Sequence, residues 1–162
     1  MKSAMWLPVF FALIISCTKD GVTQSNAFES SSVNKTVLLQ LVNEARQKGC
    51  NCGNKYYPPV TAVTWNDKLE AAATAHSIDM SKKAYFSHTS PDGSNAANRI
   101  QRAGYVWRAY GENIAHGYDN EKDLIQGWLG SPTHCSNIMN SNFKEMGVGR
   151  SGNYWTQDFG SR

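Results

Sequence analysis

The sequence predicts one α+β domain in which helices pack on a small, mainly antiparallel sheet. Two patterns predict this class: helical periodicity dominates up to residue 129, and strand patterns are concentrated after residue 144. A length of 162 residues with 41% hydrophobic residues suits a single core, and 11% aromatic residues exclude a disordered chain. The net charge of +3 is scattered along the chain, so nucleic acid is not an expected partner.

The N-terminus has the pattern of a bacterial export signal. Lys2 is followed by an apolar run over residues 4–15, which is too short for the roughly 20 residues of a membrane-spanning helix. The run ends in Leu13-Ile14-Ile15-Ser16-Cys17, which resembles a lipobox and predicts lipidation of Cys17. The alternative is an ordinary cleaved signal in which Cys17 is incidental.

These features divide the chain into three parts. We expect residues 1–16 to be a lipoprotein signal peptide, and the polar, Ser-rich residues 17–32 to be a lipidated N-terminus and flexible tether. Residues 33–162 form the folded domain. Such a protein is exported and held at a membrane by its acyl chains, in the periplasm or on the cell surface.

Four helices are predicted from apolar residues that recur on one face and from capping residues at the ends. In chain order they are an amphipathic helix from residue 33 that ends before Gly49, a helix capped by Asn66 or Asp67 that reaches Met80, a helix from Ser94 to Gly104, and a helix from Asn120 to Leu129 that Pro132 stops.

Strands are predicted from alternating apolar residues near the C-terminus. Residues 145–150 and 154–159 flank Ser151-Gly152-Asn153, which is a hairpin signal. Residues 110–116 are a further short strand. Residues 50–53 and 57–59 are predicted to be loop.

Two histidines occur in polar, turn-rich segments that are typical of sites. His88 and His134 lie on either side of Glu112 in the sequence, and two imidazoles with one carboxylate are a ligand set for zinc with an open position. The same residues could instead form a hydrogen-bonded network. The chain has no HExxH helix, G-x-S-x-G elbow or phosphate-binding loop.

His76 lies on the apolar stripe of the second predicted helix. Its position favours a buried neutral imidazole bonded to the backbone, with a role in lining the cavity as the alternative.

Once Cys17 is lipidated, an odd number of cysteines remains in an oxidising compartment. A ring between Cys50 and Cys52 would be strained, so Cys135 is expected to pair with one of them. We prefer Cys52–Cys135, with Cys50–Cys135 as the alternative pairing and three free thiols as the remaining possibility.

A series of motifs resembles the CAP superfamily, which includes cysteine-rich secretory proteins, antigen 5 and pathogenesis-related proteins, and is most similar to its bacterial SCP-like branch. The motifs, in order, are AHSIDM at 75–80, FSHTSPDG at 86–93, GENIA at 111–115, WLGSPTHCSNI at 128–138, MGVG at 146–149 and YWTQDF at 154–159. The resemblance covers residues 35–160. It implies a three-layer α-β-α sandwich around a central cavity.

The resemblance also implies roles for individual residues. Eukaryotic members line the cavity with two histidines and two glutamates that can hold a divalent metal, and His88, Glu112 and His134 match three of them. Gly130 or Ser131 stands where the second glutamate would be. His76 is typical of bacterial members.

Two functions follow as expectations. The first is a non-enzymatic, monomeric binding module on the cell envelope, whose cavity of His88, Glu112, His134 and His76 takes zinc or another divalent metal, and which binds a lipid, a small ligand or an envelope protein. The second is a zinc-dependent peptidase-like hydrolase, with His88 and His134 as ligands and Glu112 as third ligand or catalytic base. The missing glutamate counts against the hydrolase.

Overall fold

The computed structural model of the protein describes Met1 and residues 33–162. The expected signal peptide, the lipidation site Cys17 and the tether therefore lie outside the described residues. Within the described part the helices are α1 Lys35–Lys48, α2 Asp67–Lys83, α3 Ala96–Arg102, α4 Glu121–Gly130 and α5 Pro132–Ile138. The strands are β1 Cys50–Cys52, β2 Lys55–Tyr57, β3 Thr64–Trp65, β4 Ala109–His116, β5 Glu145–Ser151 and β6 Tyr154–Ser161. None of these helices combines the length and the apolar character that crossing a membrane requires.

The central sheet has the strand order β3-β5-β6-β4. The β4–β6 and β5–β6 pairs are antiparallel, and the two-residue strand β3 runs parallel to β5. The expectation of a mainly antiparallel sheet in an α+β fold is confirmed. Strands β1 and β2 form a separate antiparallel hairpin.

Helices cover both faces of this sheet. Helix α2 lies directly against β5 and β6, because Gly147 and Gly149 leave room for its backbone. The opposite face carries the main hydrophobic core, to which α1, α4 and α5 contribute. The result is three layers, helix–sheet–helix, as the resemblance implied.

Asparagine side chains cap four helices. Asn34, Asn66, Asn95 and Asn120 each accept a hydrogen bond from a backbone N–H in the first turn of the helix that follows. For the third helix the expected cap was Ser94. That hydroxyl instead donates to Asp92 Oδ1 at 2.6 Å, so the helix begins one residue later.

The local structure goes beyond the expectations in two places and differs from them in a third. Pro132 does not simply stop α4: it begins α5, because proline fits the first helical turn, where its missing N–H is not needed. The segment expected as loop contains the β1–β2 hairpin. Strand β3 was not expected at all, since two residues carry no periodicity.

Candidate functional site

The site is built around Glu112, a buried carboxylate on β4. His88 donates from Nδ1 to Glu112 Oε1 at 2.7 Å, and Arg99 of α3 donates from Nη2 to Glu112 Oε2 at 2.6 Å. The Glu112 side chain is 3% exposed, whereas that of His88 is 55% exposed. Both oxygens of the carboxylate are therefore engaged by protein groups, and His88 faces outward from this contact.

The loop that carries His88 is held from the protein interior. His76 of α2 is fully buried, and its Nε2 donates to the Ser87 carbonyl at 3.0 Å. Arg99 donates to the carbonyls of His88 and Ser94, each at 3.0 Å. His76 thus supports the loop from behind and does not belong to the cavity wall.

A cavity of about 520 Å³ lies in front of this loop. Two imidazoles and a mainly apolar surface line it: Phe86, Ser87, His88, Ile114, Ala115, Tyr118, Gly127, Trp128, Ser131 and His134. Ser131 lies in the wall, in the region where the resemblance placed a second glutamate in eukaryotic members. The cavity can therefore hold an apolar group close to two nitrogen ligands.

The environment of His134 favours its neutral form. Burial lowers the pKa of His134, and the charge of His88 lowers it further. Burial likewise lowers the pKa of His76, against the opposing effect of Glu112. For His88 the bond to Glu112 occupies Nδ1, so Nε2 is the nitrogen that remains for a ligand.

Of the three expected metal ligands, His88 and His134 line the cavity. Glu112 does not line it and lies on the interior side of His88. Glu112 contacts His88 from the interior, in the position of the carboxylates that orient metal-bound histidines in zinc proteins. Among residues 33–162, one group of three potential ligands has all its ligand atoms within 4.8 Å of one another. It consists of Cys50, Cys52 and Cys135.

Those cysteines form a disulfide with a thiol beside it. Cys52 is bonded to Cys135, the preferred pairing, with a Cα–Cα distance of 5.4 Å. Cys50 forms no disulfide within residues 33–162, and its Sγ lies 3.6 Å from Cys135 Sγ. Because two of the three sulfurs are joined, they do not offer thiolate ligands in this state.

Asp158 is a second buried carboxyl beside Glu112, which it faces across the β4–β6 pair. Neither of its oxygens has a hydrogen-bond partner among the described residues. Burial raises the pKa of Asp158 well above its ordinary value, and the charge of Glu112 raises it further, while Arg99 opposes them. A protonated Asp158 leaves Arg99 to balance the charge of Glu112.

Sequence reasoning missed Arg99 and Asp158. Asp158 carried a signal, since a carboxyl between Gln157 and Phe159 in a predicted strand is unusual for a buried sheet. The sequence gives no signal for Arg99, because an arginine on a short amphipathic helix is typical of a solvated face.

Comparisons with known proteins identify relatives. A family model described as "CAP: Cysteine-rich secretory protein family" matches residues 39–159. The uncharacterised protein YkwD of Bacillus subtilis is 32% identical over 139 residues, which is 85% of this chain and 51% of that protein. This chain therefore spans about half the length of that relative.

Solved structures share the fold. An extracellular protein containing an SCP domain from Bacillus anthracis is similar with a TM-score of 0.69 and 31% identity, over 78% of this chain and 40% of that one. An outer surface protein from Borrelia burgdorferi has a TM-score of 0.66 at 22% identity, over 78% of this chain and 91% of that one.

Proposed function

This chain belongs to the CAP family of cysteine-rich secretory proteins, and we propose that it is an extracytoplasmic binding module rather than a hydrolase. Its cavity would hold a divalent metal ion on His88 and His134. The metal would present a small, partly apolar ligand to the cavity wall. The module would act as a monomer.

The observation that carries the proposal is the engagement of both Glu112 oxygens. A hydrolytic site of this kind needs a carboxylate that can take a proton from water. Glu112 accepts from His88 and from the cationic Arg99 and is almost fully buried. This arrangement supports a carboxylate that orients an imidazole and argues against a general base.

The donor set suits a metal that prefers imidazole nitrogen. His88 offers Nε2, since Nδ1 is bonded to Glu112, and His134 is kept neutral by its burial. When bound, a divalent ion such as zinc supplies open coordination positions for a ligand. Phe86, Ile114 and Trp128 would contact the apolar part of that ligand.

A lipid is the second ligand that the surface supports. A groove of about 300 Å³ runs between α1 and α4. Leu41, Ala45, Ile125 and Leu129 line it, with Lys48, Lys122 and the carboxylate of Glu44 beside them. Two ammonium groups against one carboxylate leave the edge of this apolar floor net positive, which suits a fatty acid.

The proposed location is a bacterial membrane surface outside the cytoplasm. Lipidation of Cys17 would anchor the protein, and residues 18–32 would hold the domain clear of the bilayer. The likeness to an extracellular SCP-domain protein of Bacillus anthracis supports export.

Zinc calorimetry on the full chain tests the cavity. We expect wild type and a His116→Ala control to bind one zinc ion, because His116 is an exposed residue outside the cavity wall. The double variant His88→Ala/His134→Ala should lose this binding. Equal binding by the double variant would refute the metal site, and zinc-dependent cleavage of a peptide library would show a hydrolase instead.

The groove has its own test with a fluorescent fatty acid. Leu41→Glu should abolish saturable binding because it puts a carboxylate on the apolar floor. Thr36→Glu, at an exposed position of the same helix outside the groove, is the matched control and should bind normally. No saturable binding by wild type would remove the lipid from the proposal.

A further inference from the structure

The spacing of Cys50 and Cys52 puts two sulfurs on one side of a strand. Both residues lie in β1, and alternate residues of a strand point to the same face. On that face lies Cys135 of α5, 83 residues from Cys52 along the chain. One cysteine of α5 therefore meets two candidate partners.

The three sulfurs place a thiol in contact with a disulfide, at the side of its bond and not in line with it. Cys52 and Cys135 are bonded, and Cys50 Sγ lies 3.6 Å from Cys135 Sγ, about van der Waals contact for two sulfur atoms. Thiol–disulfide exchange needs the attacking thiolate in line with the bond that breaks, so the Cys50 side chain has to rotate about its Cα–Cβ bond before it attacks. Cys135 is the sulfur that Cys50 contacts.

The exposure of the three residues differs in a way that matters for exchange. Cys52 is 5% exposed and Cys135 is fully buried, so a thiol from solution has little access to their bridge. Cys50 is half-buried and lines the groove between α1 and α4. The accessible sulfur is therefore the one outside the bridge.

We propose that Cys50, Cys52 and Cys135 form a thiol–disulfide exchange site in which Cys50 is the entry point for external thiols. In the first step Cys50 gives up its proton to solvent, and the resulting thiolate attacks Cys135 Sγ. The Cys50–Cys135 bond forms, the Cys52–Cys135 bond breaks, and Cys52 leaves as a thiolate. The number of disulfides is unchanged, so no oxidant or reductant is needed.

In the second step an external thiolate attacks Cys50 Sγ of the shifted bridge. A mixed disulfide forms on Cys50, and Cys135 leaves as a thiolate. The substrate class is a thiol that fits the groove, either a small molecule or a cysteine of a partner. Burial raises the pKa of the Cys50 thiol, so Cys50 must lose its proton before it attacks.

The first test asks whether the second pairing forms. The full chain is used with Cys17→Ser in every variant, so that the fourth cysteine does not contribute. In Cys52→Ser we expect a Cys50–Cys135 bridge, seen after trypsin digestion without reduction as residues 49–55 linked to residues 123–144. Cys50→Ser is the matched control and should keep Cys52–Cys135 in the same pair of peptides.

The second test does not depend on the folding of Cys52→Ser. Reduced glutathione is the probe, and mass spectrometry follows the opening of the bridge and the position of the adduct. The Cys17→Ser parent should form its first adduct on Cys50 and should open at least about tenfold faster than Cys50→Ser, whose bridge must be attacked directly.

Equal opening rates with and without Cys50 would overturn the proposal, as would a first adduct on Cys52 or Cys135. A Cys52→Ser protein with native circular dichroism and two alkylatable thiols would overturn it as well.

Discussion

The face of the central sheet that packs against α1, α4 and α5 buries the larger set of apolar side chains, whereas the face under α2 and α3 combines a smaller apolar cluster with buried polar groups. The first face contributes to a core that includes Leu38, Val42, Trp128, Phe143, Trp155 and Phe159. Burial of this much apolar surface is the main source of stability. The Cys52–Cys135 bridge belongs to the same core.

The second face is built for close approach and for hydrogen bonds. Ser77 of α2 donates to the Gly149 carbonyl at 3.0 Å and to Thr156 at 2.9 Å. Beside this contact lie Glu112 and Asp158, opposite each other in the sheet. The first face thus contributes most of the buried apolar surface, and the other holds the charged groups that orient His88.

A buried charged or titratable group from each face tests this division. On the apolar side Arg46 donates to the carbonyls of Thr61, Ile138, Asn140 and Phe143, at 2.6 to 3.1 Å. Burial lowers the pKa of Arg46 to about 10, which still leaves it charged near neutral pH. Asp158 on the polar side has no such partners in the described part of the chain. A satisfied group should stabilise the fold, and an unsatisfied one should not.

The largest effect is expected for Arg46→Ala. It removes the guanidinium that donates to four carbonyls and creates a cavity, so the free energy of unfolding should fall by about 3 to 5 kcal/mol. Urea denaturation measures the loss. The control Arg108→Ala, at an exposed arginine, should change it by less than about 0.5 kcal/mol. Similar small effects for both variants would mean that Arg46 does not support the apolar side.

Gly147→Ala tests the close approach of α2 to the other face. A Cβ at this position would overlap backbone atoms of Leu69 and Glu70, so α2 must move away from the sheet. We expect a loss of about 2 to 3 kcal/mol. Gly130→Ala is the matched control, since a Cβ there meets nothing within 4 Å. If both variants unfold at the same denaturant concentration, the glycine is not needed for packing.

Asp158→Asn should raise the free energy of unfolding near neutral pH, whereas Arg46→Ala and Gly147→Ala lower it. The native pKa of Asp158 lies above its unfolded value, so its favourable contribution exists below the ordinary pKa of 3.8 and is lost as pH rises toward the native pKa. Near neutral pH the asparagine variant should therefore be more stable, by about 1 to 2 kcal/mol.

Thermal or urea unfolding at several pH values checks this sign. The gain from Asp158→Asn should shrink as pH falls and vanish below about pH 4. A variant that is less stable than wild type near neutral pH would show that the Asp158 carboxylate is charged and satisfied in the native protein.

The parts of the molecule that the sequence predicted are those with local signals. The β5–β6 hairpin follows from alternation around Ser151-Gly152-Asn153, and α2 follows from its apolar stripe and the Asn66 cap. The two-residue β3 has no local pattern, because its pairing with β5 depends on residues 81 positions away. Proline at position 132 is compatible with a helix end and a helix start, so local chemistry alone does not separate α4 from α5.

The candidate site was predictable to a similar degree. His88 and His134 stood out because polar, turn-rich segments carry them. The pairing of Glu112 with Asp158 depends on strand register, and the contact of Arg99 with Glu112 depends on how α3 packs. Neither is encoded in spacing along the chain.

The central claim is that Glu112 orients His88 and is neither a metal ligand nor a base. Zinc calorimetry on Glu112→Gln, beside wild type and His88→Ala/His134→Ala, tests it most directly. Loss of an orienting carboxylate costs about 10- to 100-fold in metal affinity. We therefore expect Glu112→Gln to bind one zinc ion with affinity reduced by about that factor. Unchanged affinity, or a loss as complete as in the double histidine variant, would contradict the account.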